Sequence, residues 1–267
     1  VVGNLTAGGS GKTPLAIAVA EALASRGRRP GFVSRGYGRR GASPRLVAPG
    51  DDADDVGDEP LLLAATGRPV AVGRRRADAA RLLLDRDPSC DVVVADDGLQ
   101  HYALARDVEI AAIDDARGLG NGWMLPAGPL REPRSRLGEV DAVVRLVPAG
   151  AWRATGDPRE TLMSQEPVRW RNVADASLAH EPDAFRPSSA WAIAGTANPA
   201  RFFDLVRALG IDARTRAFPD HHRYVAGDLA LPDAGAILMT AKDAVKCARY
   251  ADRRCWALEI RARIDPA

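Results

Sequence analysis

The stretch VVGNLTAGGSGKTPLAIA, residues 1–18, decides the fold class. Its two leading valines read as an apolar strand, its glycines as a tight turn, and Pro14 onward as a helix with proline in the first turn. Between strand and helix, Thr6 to Thr13 follows the pattern GxxxxGK[ST], with Thr6 in place of the first glycine. Thr6, Ala7, Gly8, Gly9, Ser10, Gly11, Lys12 and Thr13 form a candidate phosphate cradle. Glycines let successive N–H groups converge on an anion, and the helix that follows points its positive end at the same place. Lys12 has the reach to meet outer phosphates, and the Thr13 hydroxyl suits Mg²⁺.

Downstream, apolar strands alternate with helical segments. Strands are expected at Val1–Val2, Gly31–Ser34, Val70–Val72, Val92–Ala95, Ile110–Ile113 and Ala142–Val147, with helices at Pro14–Arg26 and Ala77–Asp85. This rhythm indicates an α/β fold like that of P-loop NTPases, a mostly parallel sheet with helices on both faces. Residues 149–189 are rich in proline and glycine, with only a possible strand around Pro167–Val173, and read as a connection between domains. A second, smaller α/β pattern then occupies 190–267, after a first domain over 1–148. Its expected elements are Trp191–Ala194, Pro199–Leu209, Ala236–Thr240, Ala241–Tyr250 and Trp256–Ile260. A P-loop normally follows a complete buried strand. With only Val1 and Val2 ahead of the motif region, an N-terminal truncation is expected.

Composition narrows the class. A net charge of +2 gives no electrostatic case for nucleic acid, so no nucleic-acid partner is expected. The three cysteines, Cys90, Cys247 and Cys255, make no zinc spacing. No run approaches the ~20 apolar residues that span a bilayer. Only three lysines occur, Lys12, Lys242 and Lys246, so a lysine in the best motif of the chain is informative.

Asp91-Val-Val-Val-Ala-Asp-Asp97 delivers two carboxylates to the C-terminal end of a buried strand, where open α/β sheets bind ligands. Either could hold Mg²⁺ or its water shell. Gln100 and His101 follow directly and are expected to face the same cleft. Three further clusters carry polar groups on loops: SRGYGR (34–39), GDEP (57–60), which closes an acidic and mobile loop, and LPAGPLREP (125–133).

Taken in order with ADDGLQH (95–101), FPDHHRY (218–224) and TAKDAVK (240–246), these motifs resemble the tetraacyldisaccharide 4′-kinase family from Asn4 to about Lys246. The resemblance implies ATP as donor and Mg²⁺ as cofactor. It implies a lipid A disaccharide precursor as acceptor, phosphorylated at its 4′-hydroxyl, and peripheral association with the cytoplasmic face of the bacterial inner membrane. It assigns catalysis to Asp58 with a histidine of the pair His221 and His222, His221 being favoured, and to Lys12. Metal-side acids are Asp97, Glu59 and Glu132, with Thr13. Ser34, Tyr37, Asp96, Gln100, His101 and Arg131 line the acceptor cleft, with one arginine among Arg74 to Arg76, taken as Arg76. The family's membrane-engaging segment ahead of the P-loop is not among these residues. Ala241, where the family commonly has an acid, receives no role. Three other readings compete: a P-loop switch or partitioning ATPase, a kinase for another small-molecule alcohol, and a non-catalytic lipid-binding domain. The first usually carries a lysine early in the loop, where this chain has Thr6.

Overall fold

The computed structural model describes residues 1–186 and 188–265. Pro187, in the expected connection, and the last two residues lie outside that set. The chain forms two units, Val1–Glu166 with the C-terminal residues from Ala262, and Pro167–Arg261.

In chain order the first unit holds β1 (Val2–Gly3), α1 (Lys12–Ala24), β2 (Pro30–Ser34), β3 (Arg45–Leu46), α2 (Ala53–Val56), α3 (Asp58–Ala64) and β4 (Val70–Val72). It continues with α4 (Arg76–Arg86), β5 (Val92–Ala95), β6 (Ile110–Asp114) and β7 (Ala142–Leu146). β8 (Glu160–Asn172) begins in this unit and runs into the other. Strands β4, β2 and β5 are parallel neighbours, and β3 adds an antiparallel edge. On the other side, β1, β6, β7 and β8 pair in parallel. A parallel bridge between Val2 and Asp96 joins the two sets, so β1 lies between β5 and β6.

Adjacent residues of these strands enter different cores, because side chains alternate across a sheet. Phe32, Val70 and Val94 pack with Leu15 and Ala16 of α1 and Leu63 of α3. Their chain neighbours Val33, Ala71 and Ala95 pack with Ala79 and Leu83 of α4. With both faces covered, the strands must be apolar throughout, which is why they read as unbroken hydrophobic runs.

The second unit contains β9 (Ala179–His180), β10 (Ala190–Ala194), α5 (Pro199–Ala208), β11 (Ala213–Ala217), β12 (Ala236–Thr240), α6 (Ala241–Cys247) and most of β13 (Cys255–Ile264). β11, β10, β12 and β13 form a parallel sheet. One face packs Trp170, Phe202, Val206 and Trp256; the other packs Ile193, Tyr224, Met239 and Cys247. All three cysteines are buried free thiols.

Three sequence expectations change. The segment 149–189, read as a connection, contains the 13-residue strand β8. Its prolines do not prevent this, because proline is compatible with extended backbone where its missing N–H is not needed. Gly57-Asp-Glu-Pro60 is not a mobile loop. Asp58 opens α3, and proline in a first helical turn is well tolerated. β11 was not anticipated, since its burial is slight and its ARTRA sequence is polar.

Trp170, with no solvent exposure, meets Phe185 and Phe202 edge-on at 5.8 and 6.5 Å and donates from Nε1 to the Pro182 carbonyl. Trp170→Ala is expected to cost about 3–5 kcal/mol, read as a lower urea midpoint at unchanged slope.

Candidate active site

The phosphate loop leaves β1 at its C-terminal edge and enters α1 at Lys12. Gly11 has φ 79°, and a Cβ there would stand 2.8 Å from Leu146 Cδ2, so strain and collision both require glycine. The loop is strapped to residues 129–131 of the LPAGPLREP segment. Ala7 N–H donates to Pro129 O (2.8 Å) and Arg131 N–H to Leu5 O (2.6 Å). Ala7 therefore drops out of the amides that could converge on phosphate. Buried Asn4 donates to the Thr6 carbonyl at 2.6 Å and turns it away from the cradle interior. A polar side chain directly after the apolar strand was the signal for this role.

Beside the loop, the two acids at the end of β5 divide their work. Asp96 has no exposure, and Thr13 Oγ1 donates to its Oδ2 at 2.9 Å. Its other oxygen has no hydrogen-bond partner. Burial first, then the negative charge of Glu59, pushes this carboxyl up to about 7. Asp97 adopts φ 52°, which turns the chain. Burial would raise its pKa, but Lys12 at 3.7 Å and Arg131 at 2.9 Å outweigh that and hold it below the ordinary carboxylate range. The acid against Thr13 is thus Asp96, assigned to the acceptor cleft by resemblance, whereas Asp97, assigned to the metal, neutralises two cations.

Glu132, also assigned to the metal, has protein partners. It accepts from Gln100 Nε2 (2.7 Å) and from the Tyr102 hydroxyl, with Arg136 at 4.0 Å. Gln100 also donates to Asn4 O and accepts from Arg131, linking Glu132 back to β1. Tyr102 was not foreseen, since nothing in its neighbourhood distinguishes it from an ordinary loop tyrosine.

On the other side of β5, Arg76 is 4% exposed and donates to the carbonyls of Gly73, Arg74 and Asp97. Burial lowers its pKa to about 10. His101 Nε2 accepts from the Arg76 backbone N–H at 3.0 Å. Burial and the charge of Arg76 lower the imidazole pKa, which favours the neutral acceptor form this bond needs. His101 thereby caps the start of α4. Ser34 is buried at the end of β2, whereas the Tyr37 ring is 55% exposed. The SRGYGR loop meets the start of α3 closely: a Cβ on Gly57 would lie 3.0 Å from Gly36 Cα and 3.1 Å from Tyr37 O. Asp58 is buried in the first turn of α3, and the charge of its neighbour Glu59 reaches Asp96. Asp58 and Glu59 thus lie at the phosphate-loop end of the sheet.

His221 and His222 belong to the second unit. His222 Nε2 bonds Asp228 at 2.9 Å, and its ring stacks on Phe218 at 4.5 Å. His221 has φ 57° and donates its backbone N–H to Asp220, which also pairs with Lys242.

No cluster of three or more metal-binding side chains exists among the described residues. The arrangement fits Mg²⁺ nonetheless. Mg²⁺ keeps waters and takes one or two protein oxygens plus phosphate, and Asp96 offers a buried carboxylate oxygen without a partner beside a threonine hydroxyl.

A glycine-rich loop opening a helix, a lysine held in it and a buried acid against the loop threonine define a P-loop phosphoryl-transfer enzyme. The family model described as LpxK, tetraacyldisaccharide-1-P 4′-kinase, matches residues 1–267, and the chain belongs to that family. A tetraacyldisaccharide 4′-kinase of Dechloromonas aromatica (strain RCB) is 49% identical over 269 residues, covering 100% of this chain and 80% of that protein. Another, of Alkalilimnicola ehrlichii, is 50% identical and covers 100% and 78%. The crystal structure of LpxK from Aquifex aeolicus, an "apo" form in complex with ATP, aligns with TM-score 0.81 at 27% identity, over 99% of this chain and 83% of that one. The switch-ATPase reading is not favoured by these relatives.

Burial of Asp96 has a measurable consequence without metal. Because its folded pKa is raised, the native protein holds a proton that the unfolded chain has already lost between about pH 4 and 7. Stability from this group is therefore fully present at the acid end and is lost as pH rises through about 7. Asp96→Asn is expected to raise the melting temperature of the metal-free protein by about 5–10 °C at pH 8 and far less at pH 5. Scanning calorimetry at the two pH values, with EDTA, checks this.

Proposed function

We propose that this chain moves the γ-phosphoryl group of ATP onto the 4′-hydroxyl of a tetraacylated glucosamine disaccharide 1-phosphate, a lipid A precursor. The observation that carries this is the pairing of Thr13 with buried Asp96 beside Lys12, with Asp58 and Glu59 opening a helix at the same end of the sheet. Family membership supplies the acceptor.

The acceptor oxygen forms the new bond to the γ-phosphorus, the bond from that phosphorus to the β–γ bridging oxygen breaks, and ADP leaves. Asp58 accepts the hydroxyl proton. The transition state is loose, so positioning and charge stabilisation do most of the work. Lys12, now 3.7 Å from Asp97, swings to the outer phosphates, and Arg131 keeps Asp97 neutralised as it leaves. Loop amides and the start of α1 supply further positive potential. Mg²⁺, held by Thr13 and Asp96, would offset the phosphate charge. Of the two histidines, the family resemblance favours His221 for the acid–base role; both rings have a carboxylate beside them, His222 bonding Asp228 and His221 Nε2 lying 3.8 Å from Asp220.

No helix among the described residues is long and apolar enough to cross a membrane. A lipid acceptor made at the inner membrane supports peripheral work at its cytoplasmic face. The first unit supplies the phosphate site, and the second carries the histidine pair.

ATP-dependent transfer to a purified lipid A disaccharide precursor in detergent, with and without Mg²⁺, tests this. Asp58→Ala should lose about 10²–10⁴-fold in kcat while still binding ATP. Lys12→Ala should lose at least as much. Near-normal turnover by Asp58→Ala removes it from the role, and ATP hydrolysis indifferent to the lipid overturns the kinase reading.

A further inference from the structure

β6 is the parallel neighbour of β1 on the side away from Asp96, pairing Ile110 with Val2 and Ala111 with Gly3. The two strands therefore end at the same edge, and the turn after β6 emerges beside the phosphate loop. That turn is tightly made. The N–H groups of Arg117 and Gly118 donate to the Asp114 carbonyl at 3.2 and 2.8 Å, and Ala116 N–H donates to the Asp114 carboxylate at 3.1 Å.

From this turn the Arg117 guanidinium reaches over Gly8, in the middle of the phosphate loop. A Cβ on Gly8 would stand 3.1 Å from Nη1, 3.5 Å from Nη2 and 3.7 Å from Cζ. Three atoms of one planar group at such similar distances mean that the guanidinium lies against the glycine, in space that a side chain there would take. Among the described residues the Arg117 side chain has no hydrogen-bond or ion-pair partner. The nearby carboxylate of Asp115 is engaged by Arg145 and Arg153 instead. Three other cations of the site do have protein partners: Lys12 and Arg131 pair with Asp97, and Arg76 donates to three carbonyls.

We propose that Arg117 is a further catalytic residue of this site, an arginine supplied in cis that donates to the γ-phosphoryl group of ATP. The inference rests on the kinase reading above. A guanidinium is a planar fork of donors suited to bidentate contact with phosphate. As the bond to the bridging oxygen breaks, charge spreads over the γ-phosphoryl oxygens and the leaving oxygen. Arg117 is solvent-exposed, and a cation there without a protein counter-ion can stabilise that charge without first giving up a partner.

The test compares wild type, Arg117→Ala and Arg117→Lys. Binding of MgATP and MgADP is measured by titration calorimetry, and kcat with the lipid acceptor in detergent. Arg117→Ala should bind ADP within about twofold of wild type and ATP about tenfold more weakly. Its kcat should fall by about 10³-fold or more, the low end of what an arginine finger contributes. Arg117→Lys should recover part of the preference for ATP over ADP, since it keeps the charge but not the fork. Unchanged ATP preference with unchanged kcat overturns the proposal. So does an equal loss of ATP and ADP affinity, which marks a structural role for the turn. If wild type itself transfers no phosphate, the kinase reading fails, and the ATP-to-ADP comparison still decides where Arg117 acts.

Discussion

A carboxylate sealed from solvent against a threonine hydroxyl is the constraint around which the first unit is arranged. Asp96 cannot easily keep its charge there: burial and Glu59 both favour its protonated form. In a nucleotide enzyme such a group is useful because it is costly. A divalent cation arriving with phosphate relieves a penalty that the fold already carries, and that relief contributes to binding. The sheet makes the arrangement possible, since β1 runs between β5 and β6 and all three end at one edge.

Around that point the cations are distributed by partner. Asp97 pairs with both Lys12 and Arg131 beside the cradle, so cations that would repel one another are kept together by a single acid. The LPAGPLREP segment is tied to the loop by backbone bonds through Ala7, Leu5 and Arg131. The two segments are thus tied together through their backbones. Movement of Arg131 is felt by Gln100 and, through it, by Glu132.

The second unit has a comparable buried centre. Asp243, without exposure, accepts from Gly195 N–H, Lys246 Nζ and Thr240 Oγ1. Lys246 also donates to the Gly195 carbonyl and lies over the Tyr224 ring. The TAKDAVK motif is accounted for by this network. It pins the loop at Gly195, against which His222 packs, a Cβ on Gly195 lying 3.3 Å from His222 Cβ. A buried ion pair is weak evidence for net stability; here its evident effect is to give two loops one geometry.

Much was legible in the sequence. The phosphate loop, the alternation of apolar strands with helices, and the motif set that carries the family resemblance are local patterns, imposed by glycine conformation and by strands buried on both faces. Three things were not legible. Most of strand β8 lies under a proline-rich segment in which only a possible strand around Pro167–Val173 could be read, because extended backbone and connection share a composition. The roles of Asp96 and Asp97 could not be told apart, because the left-handed turn at Asp97 breaks the alternation that assigns side chains to faces. Arg117 and Tyr102 gained meaning only from neighbours more than twenty residues away in the chain. Sequence by itself determined which chemistry is present and on what kind of scaffold. Tertiary structure alone decided which acid faces the threonine, which cations are already paired and which is not, because those depend on strand order and distance rather than on spacing along the chain.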